Sequence, residues 1–184
     1  QLVKIEDGLS TKMGEAVEFE LLPLREGALP RKPDAEVLAF ADDVQEFSNE
    51  VQKASSELNE ATQLLKAMQV SLSRSATPDA DLMKALHDAE MQLYAMDTKM
   101  NGNLPQREIR DVTPKTVMDR IQVAYGGLRG TYGPTAMHKE MLDVGKEEFE
   151  AIKTELMPLL QETIPALAQR LKENGAPPVL GLDD

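Results

Sequence analysis

Apolar residues recur at alternating steps of three and four between positions 37 and 72, and this pattern constrains the fold more than any other feature. It is the a/d pattern of a heptad repeat, and a straight helix over residues 34–72 would be about 57 Å long. A single apolar stripe must be covered by partner helices to leave water. The residues of the stripe are Val37, Phe40, Val44, Phe47, Val51, Ala54, Leu58, Ala61, Leu65, Met68 and Leu72.

Asp34 is the predicted N-cap of this long helix, and Pro78 closes the short polar loop that follows it. A second helix is predicted over residues 79–101. Because the loop between them is short, the two helices should be antiparallel neighbours. The predicted inward residues of the second helix are Leu82, Leu86, Ala89, Leu93, Met96 and Met100.

Further helices are predicted after a polar loop over residues 104–113. Thr113 should cap a short helix that starts at Pro114 and is broken at Gly126-Gly127 and at Gly130-Thr131-Tyr132-Gly133-Pro134. Thr135 should cap a helix over 136–162, which Pro158 would kink or interrupt. Inward positions of these two helices are Val117, Ile121, Ala124 and Leu128, then Met137, Met141, Val144, Phe149, Ile152, Leu156 and Leu159.

Thr163 and Pro165 are expected to restart a last short helix, with Leu167 and Leu171 inward, which ends at Asn174 and Gly175. The tail over 176–181 should be extended and pack back. The sequence therefore predicts a mainly α chain, an antiparallel up-and-down helical bundle over residues 34–184 with long heptad-patterned helices. The seam from Val37 to Leu72 would be buried against residues 82–100 and 141–159.

Residues 1–24 predict a small β-hairpin. Leu2, Val3 and Ile5 precede the turn signal Glu6-Asp7-Gly8, and residues 16–22 alternate apolar and polar side chains. Two strands alone are marginally stable. The hairpin should therefore pack against the helices, pair with another chain, or be the end of a larger β-sheet.

Composition excludes several functional classes. The 32 acidic and 20 basic residues give a net charge of -12, which argues against partners such as nucleic acid or an anionic membrane surface. The absence of cysteine excludes disulfide and thiolate chemistry. No apolar run reaches the roughly 20 residues that span a bilayer. Because the sequence starts at Gln1 without a signal peptide, we expect a processed protein or a fragment.

No catalytic, cofactor-binding or metal-binding residue is predicted. Neither His87 nor His138 has a glutamate three positions before it, as a carboxylate-bridged metal pair would require, so both should be exposed or capping. The acidic clusters 42–43 and 147–150 favour a solvated helix face over paired catalytic carboxylates. The glycine-rich segment 126–133 does not match a phosphate-binding loop. It favours a tight crossover with Tyr125 and Tyr132 packed at the bundle end.

Several segments, taken in order, resemble one family. They are Gln1-Leu2-Val3, Val17-Glu18-Phe19-Glu20-Leu21-Leu22-Pro23-Leu24, Ala28-Leu29-Pro30, Ala39-Phe40, Leu58-Asn59-Glu60-Ala61, Asp119-Arg120-Ile121, Tyr125-Gly126, Gly133-Pro134-Thr135, Lys146-Glu147-Glu148-Phe149, Ile164-Pro165-Ala166-Leu167 and Glu173-Asn174-Gly175-Ala176-Pro177. Together they resemble the C-terminal region of large bacterial sortilin-like proteins, which carry BNR-repeat β-propellers and are often labelled glycosyl hydrolases.

The resemblance implies that a small immunoglobulin-like β-segment follows the propeller and that a helical region follows that segment. The hairpin would then be the last two strands of the β-segment, and the location would be extracytoplasmic. Two features depart from the family: the tail lacks the tryptophan that the family commonly carries, and the propeller is absent. The resemblance therefore assigns no catalytic residue to this chain.

Three functional hypotheses follow. The first is a non-catalytic accessory domain, a spacer, stabiliser or docking module that contacts the propeller of its parent protein. The second is part of a glycoside hydrolase whose active site lies in the propeller, although a propeller does not by itself imply hydrolysis. The third is a coiled-coil interaction protein that self-associates, and a homodimer is compatible with either architecture.

Overall fold

The computed structural model describes residues 2–6, 9–15, 17–18 and 30–179. The chain divides into two compact units, Gln1–Pro30 and Arg31–Asp184. The described residues form a helical bundle and a small two-stranded antiparallel sheet, which confirms the predicted fold class.

The first unit contains the hairpin of β1 (Leu2–Glu6) and β2 (Leu9–Met13). Leu2 pairs with Met13 and Glu6 pairs with Leu9, so only residues 7 and 8 connect the strands. The prediction of a second strand over 16–22 is wrong at Val17 and Glu18, which are not in a strand. Its other residues, 16 and 19–22, lie outside the described part of the chain. The Asp-Gly dipeptide favours a two-residue connection, and a strand that starts at Leu9 is consistent with that preference.

The second unit begins with α1 (Asp34–Ser73). The predicted inward residues from Phe40 to Leu72 are all buried, while Val37 is half-buried. Asp34 is not the N-cap as predicted but the first helical residue. Pro33 occupies the cap position and its carbonyl accepts the N–H groups of Glu36 and Val37. A carboxylate in the first turn still interacts favourably with the helix dipole.

Helix α2 (Ala80–Asn101) buries the six residues predicted to face inward. The Asp79 side chain caps it by accepting the N–H of Leu82 at 2.9 Å, and Gly102 ends it with a φ of 89°. A short helix, α3 (Leu104–Glu108), follows inside the segment that was predicted to be a loop. It forms because the Asn103 side chain accepts the N–H of Gln106.

Helix α4 (Val117–Arg129) differs from its prediction at its start and at its two adjacent glycines. Its cap is Thr116 and not Thr113, because Thr116 forms a reciprocal capping box with Asp119. Gly126 and Gly127 do not break the helix, but the predicted break that begins at Gly130 is correct, because α4 ends at Arg129.

Helix α5 (Ala136–Pro158) leads through a π-helical turn (Leu159–Thr163) into α6 (Ile164–Glu173). Pro158 does interrupt the α-helix as predicted. The last π-type bond runs from the Ile164 N–H to the Leu159 carbonyl. The predicted restart of the helix after Thr163 is correct, because α6 begins at Ile164, although Thr163 is itself helical and forms no side-chain cap.

The inward face of α5 is partly different from its prediction. Phe149, Ile152 and Leu156 are buried as expected, but Met137 is exposed, and Met141 and Val144 are half-buried. Their places in the core are taken by Leu142 and Gly145. The sequence pattern missed this register because Gly145 has no side chain with which to mark an apolar position.

One hydrophobic core extends from Phe40 to Val179 within the helical unit. Helix α1 contacts α2, α4, α5 and α6, and α4 packs along α5. The predicted return of the tail is confirmed over residues 176–179. The Ser71 hydroxyl donates to the Pro177 carbonyl, and Val179 is buried. Residues 180–181 lie outside the described part of the chain.

Candidate interaction surfaces

The hairpin exposes its apolar residues on both faces. Residues 3–6 and 9–13 are all solvent-exposed. Because paired residues share a face, Val3 and Ile5 lie on one side of the sheet, while Leu9 and Met13 lie on the other. Within its own unit the hairpin therefore has no apolar core among the described residues.

A second exposed apolar surface lies on the connector between α2 and α4. Leu104 is 67% exposed, Ile109 is 77% exposed and Val112 is 95% exposed. Arg110 between them has a φ of 57°, a left-handed conformation that is uncommon for a residue other than glycine. We refer to residues 104–112 as the apolar connector.

The apolar connector is anchored to α4 and α2 by polar contacts. Arg107 Nη2 donates to both carboxylate oxygens of Asp119 at 3.0 Å. Asn103 Nδ2 donates to the Tyr94 hydroxyl at 3.1 Å. An ideal Cβ on Gly102 would lie 2.9 Å from Arg107 Nε, so glycine is needed here for the close approach. These contacts hold the connector in one position while its aliphatic side chains face solvent.

A surface cavity of about 360 Å³ lies beside the connector, between the end of α2, the start of α4 and α5. Its lining includes Lys99, Pro114, Lys115, Glu148 and Ile152. Glu148 is held by Arg120 and Lys99 pairs with Glu155 at 3.3 Å. Lys115 forms no ion pair with a described residue, so the unpaired charge at this cavity is positive.

His138 caps α5 at its N-terminus. Its Nδ1 lies 3.0 Å from the Thr135 backbone nitrogen, which donates to it, and 3.1 Å from the Thr135 hydroxyl. An ideal Cβ on Gly127 would lie 2.8 Å from this same nitrogen, so the imidazole packs against the bare backbone of α4. The interpretation of His138 as a capping residue is confirmed.

The structure brings members of the two acidic clusters together, since Asp43 of α1 and Glu150 of α5 line one surface cavity of about 360 Å³. His87 is exposed, with Nδ1 4.0 Å from Glu90 Oε2. Glu150 pairs with Lys153 at 2.7 Å, and Asp43 pairs with Lys146. The prediction that both tyrosines pack at the bundle end is correct for one of them. Tyr125 packs on the core, whereas Tyr132 is exposed.

Electrostatic shifts occur at the ion pairs that join helices. Hydrogen bonds from Lys139 and Lys32 lower the pKa of Glu36, which lies at the start of α1. Burial raises the pKa of Asp119, but the bonds from Thr116 and the charge of Arg107 outweigh it and the net shift is downward. These shifts are typical of structural ion pairs as well as of catalytic groups.

Among the described residues, no group of three or more histidine and acidic side chains is placed to hold a metal ion. In the same part of the chain, no helix combines the length and apolar character needed to cross a membrane. The apolar connector was not predicted from the sequence, since its aliphatic residues follow no helical or strand period. The Thr-x-x-Asp signal of the α4 capping box was available in the sequence.

Comparison of the chain with protein-family models, with curated proteins and with solved structures found no match. The resemblance to sortilin-like proteins therefore rests on the order of its sequence segments alone and stays a prediction.

Proposed function

We propose that this chain is a non-catalytic accessory domain that serves as a spacer, stabiliser or docking module in a larger protein containing a β-propeller. The observation that carries the proposal is the exposed hairpin. Val3, Ile5, Leu9 and Met13 present apolar surface on both of its faces, and no described residue of its unit covers them. Such a hairpin is expected to gain most of its stability from a neighbouring sheet.

The backbone of the hairpin supports the same proposal. A two-stranded sheet has two edges, each with unpaired N–H and C=O groups that accept a further strand. Three or more strands, or packing on another element, are needed for independent stability. A hairpin at the end of an immunoglobulin-like sheet would gain these further strands, and the resemblance implies such a sheet in the parent protein.

The helical unit fits a spacer or docking role. Helix α1 contains 40 residues, which gives a rigid element about 60 Å long. Its apolar seam is covered inside the chain, so the folded bundle does not offer this seam for self-association. The apolar connector offers a separate surface through which the bundle would contact the propeller.

Amide hydrogen exchange tests the proposal in this chain and in the full-length gene product. We expect the amides of residues 2–6 and 9–13 to exchange rapidly in this chain and slowly in the longer protein, because a neighbouring strand would protect them. The amides of α2 serve as the control and should be protected equally in both. Equal protection of the hairpin in the two proteins would contradict the proposal.

The two alternative hypotheses have separate tests. If the chain contributes to a glycosidase, removing residues 1–184 from the parent protein should abolish glycan hydrolysis by the propeller. If it self-associates, sedimentation should show a dimer of the isolated chain, whereas a monomer with one cooperative melt favours the closed bundle.

A further inference from the structure

The cap of α5 depends on the imidazole of His138. Capping boxes usually place glutamate or glutamine at the third helical position, but here that position is His138. The Thr135 N–H donates to His138 Nδ1, so this nitrogen must be unprotonated. A proton on Nδ1 would turn the acceptor into a donor and place a positive charge at the positive end of the helix.

The imidazole has little room in which to adjust. Ideal Cβ atoms would lie 2.8 Å from Nδ1 at Gly127 and 3.8 Å from Nε2 at Gly126. The ring therefore rests on the last turns of α4 while it caps α5. It connects both ends of the crossover loop, residues 130–135, whose structural role the sequence did not define.

The crossover loop in turn holds the start of α1. The Lys32 N–H donates to the Tyr132 carbonyl at 2.9 Å. An ideal Cβ on Gly133 would lie 2.9 Å from Lys32 Cβ and 3.0 Å from Val37 Cγ2, and Gly133 has a φ of 88°. Through these contacts, the conformation of the crossover loop determines the position of the residues that lead into α1.

The charged groups on the elements that meet at the crossover loop form no ion pair with His138 in the described part of the chain. They are Lys139 and Glu140 on α5, Arg129 in the last turn of α4, and Lys32 and Glu36 at the start of α1. Glu36 is already held by Lys139 at 2.8 Å and by Lys32 at 3.2 Å. Both hydrogen bonds of His138 to described residues go to Thr135.

We propose that His138 is a pH-sensitive latch, whose neutral imidazole fixes the crossover loop against the start of α1 and whose protonation releases the loop. Histidine is the side chain that most often serves as a pH switch in proteins, so the latch is tested by comparing neutral with mildly acidic solution. The Glu36 ion pairs would persist over this range, because Lys139 and Lys32 lower the pKa of that carboxyl. The change would therefore be confined to the cap and the loop.

Amide exchange followed by NMR at about pH 7.5 and about pH 5.5 tests the latch, with rates corrected for the intrinsic effect of pH. We expect the protection of the Thr135 and Lys32 amides to fall about fivefold at the lower pH, which corresponds to the loss of one side-chain cap. The protection of Leu86 and Leu93 in α2 should not change.

The variant His138→Gln separates titration from structure. Glutamine at this position can accept the Thr135 N–H at any pH. The protection of the Thr135 amide in this variant should therefore be independent of pH. The matched control is His87→Gln, which removes the exposed histidine of α2 and should keep the wild-type pH response. Unchanged protection of Thr135 in the wild type, or an equal fall in His138→Gln, would overturn the proposal.

Discussion

Arg120 on α4 and Glu148 on α5 form a bidentate ion pair. Arg120 Nε donates to Glu148 Oε2 and Nη2 donates to Oε1, each at 2.6 Å. The Arg120 side chain is 17% exposed and that of Glu148 is 38% exposed. The hydrogen bond to Glu148 raises the pKa of Arg120 although burial opposes it, so the guanidinium stays charged. The pair bridges α4 and α5 beside the connector cavity.

A double-mutant cycle with Arg120→Met and Glu148→Gln should give a coupling free energy of about 1 kcal/mol. The value is set by the bidentate geometry and reduced by the solvent that reaches Glu148. Urea unfolding of the four proteins measures it. The exposed pair Lys153 and Glu150, three residues apart on α5, is the control and should couple by only about 0.3 kcal/mol. Equal coupling free energies in the two cycles would contradict the prediction that the interhelical pair Arg120–Glu148 stabilises the fold more than an exposed pair within one helix.

The variant Gly127→Ala should destabilise the chain by about 1–3 kcal/mol, because its Cβ would overlap the His138 ring and force it from the cap. Gly130→Ala is the matched control. Its Cβ would meet no atom within 4 Å and its φ of -81° suits alanine. The control should be neutral or stabilising by up to about 1 kcal/mol. Thermal melts of both variants decide the matter, and similar losses would count against the proposed packing.

The sequence predicted α1 and α2 well, because their cores are built from large apolar side chains at helical spacing. Phe40 through Leu72 and the six inward residues of α2 are buried as expected. Propensity and periodicity were sufficient where each turn of the helix contributes an apolar side chain to the core.

Glycine misled the prediction in two places. Paired glycines such as Gly126 and Gly127 usually mark a turn, but here both lie within α4, and the His138 ring packs so closely on Gly127 that an ideal Cβ there would lie 2.8 Å from Nδ1. Gly145 occupies a core position where the nearest atoms are Arg120 Cβ and Phe47 Cε1, each 3.3 Å from an ideal Cβ. Contacts with residues distant in sequence decide both cases, and a local pattern does not contain them.

The register of α5 can be tested with two truncations. Leu142→Ala should cost about 2–5 kcal/mol, because it leaves a cavity in the core. Met137→Ala should change stability by less than about 0.5 kcal/mol, because Met137 is 55% exposed. Chemical unfolding at one pH measures both. If Met137→Ala lost more stability than Leu142→Ala, the result would support the register of α5 that was predicted from the sequence.

Asp119 should make stability depend on pH in acidic solution. The Thr116 N–H donates to its Oδ2 at 3.0 Å, and Arg107 binds both of its oxygens. Burial raises the pKa of Asp119, but these contacts lower the pKa by more than burial raises it. The pKa of Asp119 is therefore lower in the folded chain than in the unfolded chain. A carboxyl with a depressed pKa stabilises the fold above its unfolded pKa of about 3.9 and loses that contribution as the pH falls.

The variant Asp119→Asn removes the charge but keeps an oxygen that can accept the Thr116 N–H. We expect a loss of about 1 kcal/mol near pH 7, and the difference from wild type should shrink as the pH falls from about 5 to 3. Asp88→Asn on the exposed side of α2 is the control, because Asp88 forms no hydrogen bond or ion pair with a described residue. Urea unfolding across this pH range measures the differences. A gap that stays constant would show that Asp119 acts through the shape of its cap and not through its charge.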